Sequence, residues 1–262
     1  MAEMQSSNNS FSLRRLSAEC IDCLVTLVCW IWFIFGFLLF FSWFYLAAAL
    51  FRKKTELYFQ RLNSYFYAIF FCIVRVTAPR QRMVIDEKIA EIRSSVIVCN
   101  HLSYLDPLLL IALFRQQKTI VKSRFFKMPV FGLIIRKSGY LPASSEGQFA
   151  AMMIKQMDTM GVYLKSGGNL FIFPEGTRSR DGKIGKLNKG AFKIARMHKR
   201  PIYVLKICNT DKLFTPGKFF FNTRVKNEIS VTIADCIVPD YHNHPPTIAD
   251  LELRVRAALG EK

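Results

Sequence analysis

From Cys23 to Phe51 the chain carries no charged residue, and Phe, Leu, Ile and Trp dominate, as in Trp30-Ile31-Trp32-Phe33-Ile34-Phe35. No other feature restricts the fold as much. The run exceeds the roughly 20 residues a helix needs to cross a bilayer. A cleaved secretory leader has an apolar core of only about 7 to 15 residues, so Arg14 and Arg15 ahead of the run do not make it one. Basic residues also follow it, at Arg52, Lys53 and Lys54, while Glu19 and Asp22 dilute the first flank. That balance favours a cytosolic C-terminal side. A re-entrant hairpin bent near Gly36 is the alternative to a span.

Leu57 to Val76 is also apolar, rich in Tyr and Phe with a few polar residues such as Gln60, Arg61 and Asn63. It reads as a second helix lying in the membrane interface, with packing on the rest of the chain as the alternative. After Pro79 the texture changes to alternating short elements. The division expected is residues 1–79 as tail and hydrophobic membrane-anchoring helices, and residues 80–262 as a catalytic domain.

The formal net charge of +18 calls for an anionic neighbour. With an apolar anchor present, a membrane surface is the simplest one. No DNA- or RNA-binding motif accompanies the charge, so nucleic acid is not expected. Seven cysteines without framework spacing argue for reduced thiols and a cytosol-facing domain. Cys20 and Cys23 form a CxxC without a second pair, and His242 and His244 have only Asp240 near them. No metal site is expected at either place.

Beyond Pro79, apolar runs at Ser94 to Asn100, Thr119 to Lys122, Gly139 to Pro142, Asn169 to Phe173, Ile202 to Cys208 and Glu228 to Ile233 read as strands. Helices are expected at Pro107 to Arg115, Phe125 to Arg136, Glu146 to Lys165, Lys189 to His198 and Thr247 to Leu259. Alternation of this kind implies an α/β fold, a mostly parallel sheet with flanking helices, here preceded by the hydrophobic two-helix membrane-binding segment.

Ligands of open α/β sheets bind at strand ends, and two strand exits carry chemistry. At the first, Asn100-His101-Leu102-Ser103-Tyr104-Leu105-Asp106 follows the strand ending at Cys99. A neutral histidine held by a carboxylate can take a proton from a hydroxyl. A regular helix would rotate the two side chains apart, so they meet only if residues 101 to 105 form a turn. Asp106-Pro107 before a leucine run predicts that turn, with Asp106 as helix N-cap. At the second exit, Phe173-Pro174-Glu175-Gly176-Thr177-Arg178-Ser179 makes a turn in which glycine permits close backbone approach and Arg178 can grip a phosphate. Gly182-Lys183 has the wrong spacing for a nucleotide P-loop.

Together the two segments resemble the glycerophospholipid acyltransferase superfamily, matching its NHxSxxD and FPEGTRS blocks residue for residue, and within it the 1-acyl-glycerol-3-phosphate acyltransferase branch. Weaker similarity runs from about Ile85 to Ile237, through Lys122 with Phe125, Pro129 and Gly132, then Lys189-Gly190-Ala191-Phe192 and Pro201-Ile202-Tyr203-Val204. The resemblance implies transfer of a fatty acyl group from acyl-CoA or acyl carrier protein to the hydroxyl of a lysophospholipid such as 1-acyl-glycerol-3-phosphate, giving phosphatidic acid, with no resident cofactor. It makes His101 the general base and Asp106 its orienting partner. Glu175, Gly176, Thr177 and Arg178 become part of the acceptor phosphate site, and Lys122 is a further cation suited to that phosphate. One departure counts against this acceptor. The family's second block usually has an arginine after Gly139-Tyr140-Leu141, where this chain reads Pro142-Ala143-Ser144-Ser145, which opens the way to another lysophospholipid.

Two other classes compete. Cys99 lies two residues from His101 and could carry the acyl group covalently. The chain could instead be a non-catalytic membrane-surface binding protein. No G-x-S-x-G is present, which argues against a serine hydrolase.

Overall fold

The four residues Val96-Ile97-Val98-Cys99 are all fully buried, as a strand at the centre of a sheet covered on both faces must be. In the computed structural model, which describes residues 19–53, 55–144, 146–179 and 184–260, this strand is β2 of a seven-stranded sheet. The strands are β1 (Gln81–Ile85), β2 (Val96–Cys99), β3 (Gln117–Val121), β4 (Leu141–Pro142), β5 (Asn169–Ile172), β6 (Ile202–Cys208) and β7 (Asn227–Ile237), in the order β1-β7-β6-β2-β5-β3-β4. Strands β6, β2, β5, β3 and β4 run parallel, with Val96 paired to Leu170 on one side and Ile202 on the other. β7 pairs antiparallel with β6, and β1 runs parallel to β7. The sheet is therefore mixed, mostly parallel.

The helices are α1 (Glu19–Phe51), α2 (Thr55–Thr77), α3 (Leu105–Leu113), α4 (Phe131–Lys137), α5 (Ala150–Lys165), α6 (Gly190–His198), α7 (Thr210–Leu213) and α8 (Ile248–Leu259). Strand alternation sorts them onto two faces. Ile97 and Cys99 share one core with α2 and α3, while Val96 and Val98 share another with α5, α6 and α8. The chain leaving β2 thus turns onto one face and the chain leaving β5 onto the other. Adjacent strands whose exits diverge leave a crevice at their C-terminal ends, the usual ligand position in such sheets.

Two alternatives stood open at the N-terminal helices. α1 continues through Gly36 as a π-helical stretch, Trp32–Phe41, with no hairpin bend. A side chain at Gly36 would collide with the Trp32 ring at 2.6 Å, so glycine there lets that indole lie along the helix and stack on Phe66 at 5.3 Å. α2 packs on the sheet domain, the alternative reading of Leu57 to Val76. Its buried positions Phe59, Asn63, Phe66, Phe70 and Val74 recur at helical spacing. Its polar side chains are taken up there too, Gln60 Nε2 donating to Ser138 O at 2.9 Å and Ser64 Oγ to Ala112 O at 3.1 Å. Val25 and Cys29 of α1 share a core with Phe70 and Ile97. Arg14, Arg15, Lys54, Ser145 and Gly182-Lys183 lie outside the described residues.

Sequence missed β1, whose Gln-Arg start disguises an edge strand. The expected Phe125 to Arg136 helix is two pieces, a 3-10 turn at Ser123–Lys127 and then α4, because Pro129 interrupts it.

Candidate functional site

β2 ends against β6 through a side chain. Asn100 donates from Nδ2 to Ile207 O and accepts at Oδ1 from Ile207 N, both at 2.8 Å. An amide can satisfy a strand's N–H and C=O at once, and here it closes the ladder where the backbone departs. His101 to Tyr104 then turn into α3. His101 Nδ1 lies 2.9 Å from Asp106 Oδ2, so the turn brings the two residues together.

The carboxylate works differently from the cap expected. α3 starts at Leu105, and Tyr104 in the N-cap position makes no side-chain cap bond. Asp106 sits in the first turn and reaches back, its Oδ2 accepting from Leu102 N at 2.6 Å and Ser103 N at 2.8 Å. Oδ1 accepts from Thr210 Oγ1 of α7, and Ser103 Oγ donates to Phe214 O at 2.8 Å. Asp106 is fully buried, where an ionised carboxylate survives only if donors surround it. An ionised carboxylate accepts only, so the shared proton sits on His101 Nδ1 and leaves Nε2 as the basic nitrogen. The ring stacks on Phe173 at 4.3 Å between centroids, and 16% of the side chain stays exposed.

The second segment folds against this turn. Ser179 N donates to His101 O at 2.8 Å. Glu175 is spent on backbone, Oε1 accepting from His101 N and Oε2 from Gly185 N, both at 3.2 Å. It brackets the two motifs. Gly176 has φ +67°, and no described residue lies within 4 Å of where a Cβ would stand. Left-handed backbone by itself calls for glycine here. Thr177 is exposed. Arg178 stacks its guanidinium 3.7 Å over the Tyr104 ring, and its buried Nη1 has no hydrogen-bond partner among the described residues.

Lys122 is exposed at the end of β3, on the same sheet edge but separated from β2 by β5. Ala143 and Ser144, in the place of the family's arginine, follow edge strand β4, beyond β3. Cys99 is buried in the core under α3, and burial pushes its thiol well above the ordinary range, with the Asp106 charge adding to the effect. In the loop with His242 and His244, Asp240 accepts from the backbone of His242 and Asn243 at 3.0 Å each. Sequence reading missed Thr210 and Asn100's bridge. Thr210 stands 104 residues from Asp106, and no local pattern signals the contact.

Residues 80–207 match the family described as Acyltransferase. The chain is 34% identical over 131 residues to a chloroplast 1-acyl-sn-glycerol-3-phosphate acyltransferase of Brassica napus, covering 47% of this chain and 35% of that one. It is 29% identical over 168 residues to the human 1-acyl-sn-glycerol-3-phosphate acyltransferase beta, covering 63% and 56%. The chain spans only about a third of the length of the Brassica and Arabidopsis thaliana relatives it matches. In fold it is similar to the crystal structure of the 1-acyl-sn-glycerophosphate acyltransferase PlsC from Thermotoga maritima, with a TM-score of 0.65 at 23% identity over 92% of this chain and 96% of that one.

Proposed function

We propose that the protein, whose residues 80–207 match the family described as Acyltransferase, transfers a fatty acyl group from an acyl thioester to the free hydroxyl of 1-acyl-glycerol-3-phosphate, giving phosphatidic acid. The observation that carries the reading is the 2.9 Å contact between His101 Nδ1 and a buried Asp106 at the C-terminal end of the central strand. His101 Nε2 takes the hydroxyl proton as the alkoxide oxygen attacks the thioester carbonyl. The C–O bond forms, the C–S bond breaks, and the proton passes to the departing thiolate. Asp106 holds the tautomer and stabilises the imidazolium that forms. Backbone N–H groups steady the oxyanion. No metal and no resident cofactor are needed, acyl-CoA or acyl carrier protein serving as co-substrate.

Arg178, flat on Tyr104 with an Nη1 that has no partner among the described residues, suits the acceptor's phosphate, with Gly176 and Thr177 shaping the turn beside it and Lys122 as a second cation at the same edge. Ala143-Ser144 in place of the family's arginine supports a second reading, an acceptor with a different head group. The test is labelled acyl donor offered to the purified protein with a panel of lysophospholipids. Turnover highest on 1-acyl-glycerol-3-phosphate supports the first reading, and turnover confined to another head group supports the second. No turnover on any acceptor would leave only the non-catalytic membrane-binding reading.

Membrane attachment belongs to the same proposal. α1 is the one helix among the described residues long and apolar enough to cross a bilayer, at 33 residues or about 50 Å. It packs on the protein along most of its length, through Val25, Cys29, Phe41, Tyr45 and Ala48. The opposite side leaves Ile31, Phe35, Leu39, Trp43 and Leu46 exposed. A helix held so fits burial in the plane of the interface better than a span that would pull the domain in with it. α2 serves as its platform, completing a two-helix membrane-binding segment ahead of a catalytic domain that begins near residue 80. A cytosolic domain suits the exposed free thiols of Cys20, Cys23, Cys72 and Cys236.

A further inference from the structure

Phe219 and Phe220 stand at the tip of a loop, 60% and 52% exposed, while the next residue, Phe221, is buried. Two adjacent phenyl rings in water need a reason. The loop is not loose. Thr215-Pro216-Gly217-Lys218 closes a turn with Lys218 N donating to Thr215 O at 3.0 Å, Gly217 taking the positive φ of 86° that this turn requires. Beyond the tip, Phe221 N donates to Thr26 Oγ1 at 2.9 Å, Thr223 Oγ1 to Asp22 Oδ1 at 2.6 Å and Arg224 Nε to Asp22 Oδ2 at 2.7 Å. These bonds fasten the tip to α1, and Phe219 stacks on Trp30 of α1 at 5.7 Å and 9°.

We infer that the Lys218–Phe220 tip is a second membrane-inserting element, dipping into a bilayer rich in anionic lipid alongside α1; the inference rests on the in-plane reading of α1 given above. Two observations select lipid as the occupant. The Phe219–Trp30 stack makes the tip continuous with the exposed apolar side of α1. In the same loop Lys218 and Lys226 are exposed cations with no acidic partner among the described residues, and Asp22, the acid packed against the loop, is buried and already paired with Arg224. Exposed aromatic rings on a loop that carries unpaired cations are what an anionic interface draws in. The same loop begins at Phe214, whose carbonyl accepts from Ser103 and whose ring stacks on Phe221 at 4.8 Å. Insertion of the tip therefore seats the His101 turn close to the lipid surface that holds a two-tailed product.

The test is flotation of the purified full-length chain with phosphatidylcholine vesicles, with and without phosphatidylglycerol, using variants checked for unchanged far-UV circular dichroism. F219S/F220S should lower partitioning on both vesicle types by about tenfold or more, and F219L/F220L should restore most of it. K218E/K226E should weaken binding only where phosphatidylglycerol is present, by roughly fivefold per lysine. L39S/F40S, on α1 away from the tip, tests the anchoring reading separately. If L39S/F40S loses binding while F219S/F220S floats like wild type, the inference is overturned and the anchoring reading stands. A wild-type chain that fails to float overturns both. Should F219S/F220S keep full flotation but change the oligomeric state in detergent, the tip is a self-association face and the inference again falls.

Discussion

Replacing Thr210 by valine removes one hydroxyl and nearly nothing else. In the native site that hydroxyl is the donor to Asp106 Oδ1, while Oδ2 serves Leu102 N, Ser103 N and His101 Nδ1. Asp106 is fully buried, so water cannot replace the lost donor. Hydrogen bonds to charged groups contribute about 1.5–3 kcal/mol, and the variant should lose roughly 2 kcal/mol of stability, lowering Tm by about 4–8 °C in a chain of this size. A carboxylate freed on one side also holds the imidazole less well. If about 1.4 kcal/mol of the loss reaches the transition state, kcat falls about tenfold with KM for the acceptor little changed. Thr210→Ser retains the donor and should stay near wild type on both counts. Steady-state kinetics and thermal melts of the three proteins decide the matter. T210V with wild-type kcat and Tm would refute the idea that α7 holds the dyad.

Three further outcomes are expected. Arg178→Lys keeps the charge but loses the planar stack on Tyr104 and the fork for phosphate, so KM for a phosphate-bearing acceptor should rise by about tenfold with a smaller change in kcat; an unchanged KM would remove Arg178 from the acceptor site. Cys99→Ser should retain most activity, since burial keeps the thiol protonated across the physiological range; loss of more than a hundredfold in a folded variant would make Cys99 an acyl carrier. Gly176→Ala meets no neighbouring atom and suffers only from φ +67°, so a stability loss of about 1 kcal/mol with KM raised a few-fold is expected, and complete inactivation of a folded protein would point to substrate contact at that carbon.

Most of the sheet could be read from the sequence because buried central strands leave no freedom of composition. Val96-Ile97-Val98-Cys99 and Asn169-Leu170-Phe171-Ile172 carry their own signal, and β6 matched to the residue. The edge strand β1 did not, since its sequence opens on Gln81-Arg82 and mixes polar with apolar positions, whereas β4, the other edge, falls inside the expected Gly139 to Pro142 run. The packing of α2 was harder to read because Phe and Tyr suit a protein core and an interface equally well; the polar residues Gln60, Asn63 and Ser64, bonded into the domain, were the sign of the side that packs. At the site, the His101–Asp106 pair was visible from spacing. The helix start was displaced by two residues, from Pro107 to Leu105, because Ser103 and the reaching Asp106 share the capping work. Glu175 as bracket and Thr210 as donor depend on long-range contacts, which local pattern cannot encode.

The most direct measurement is acyl transfer from labelled acyl-CoA to 1-acyl-glycerol-3-phosphate by purified wild type and His101→Ala, with vesicle flotation run beside it. Removal of a general base lowers rates by roughly 10² to 10⁴, and that loss is expected here with flotation unchanged. Transfer by His101→Ala at the wild-type rate would contradict the assignment of His101 as the base.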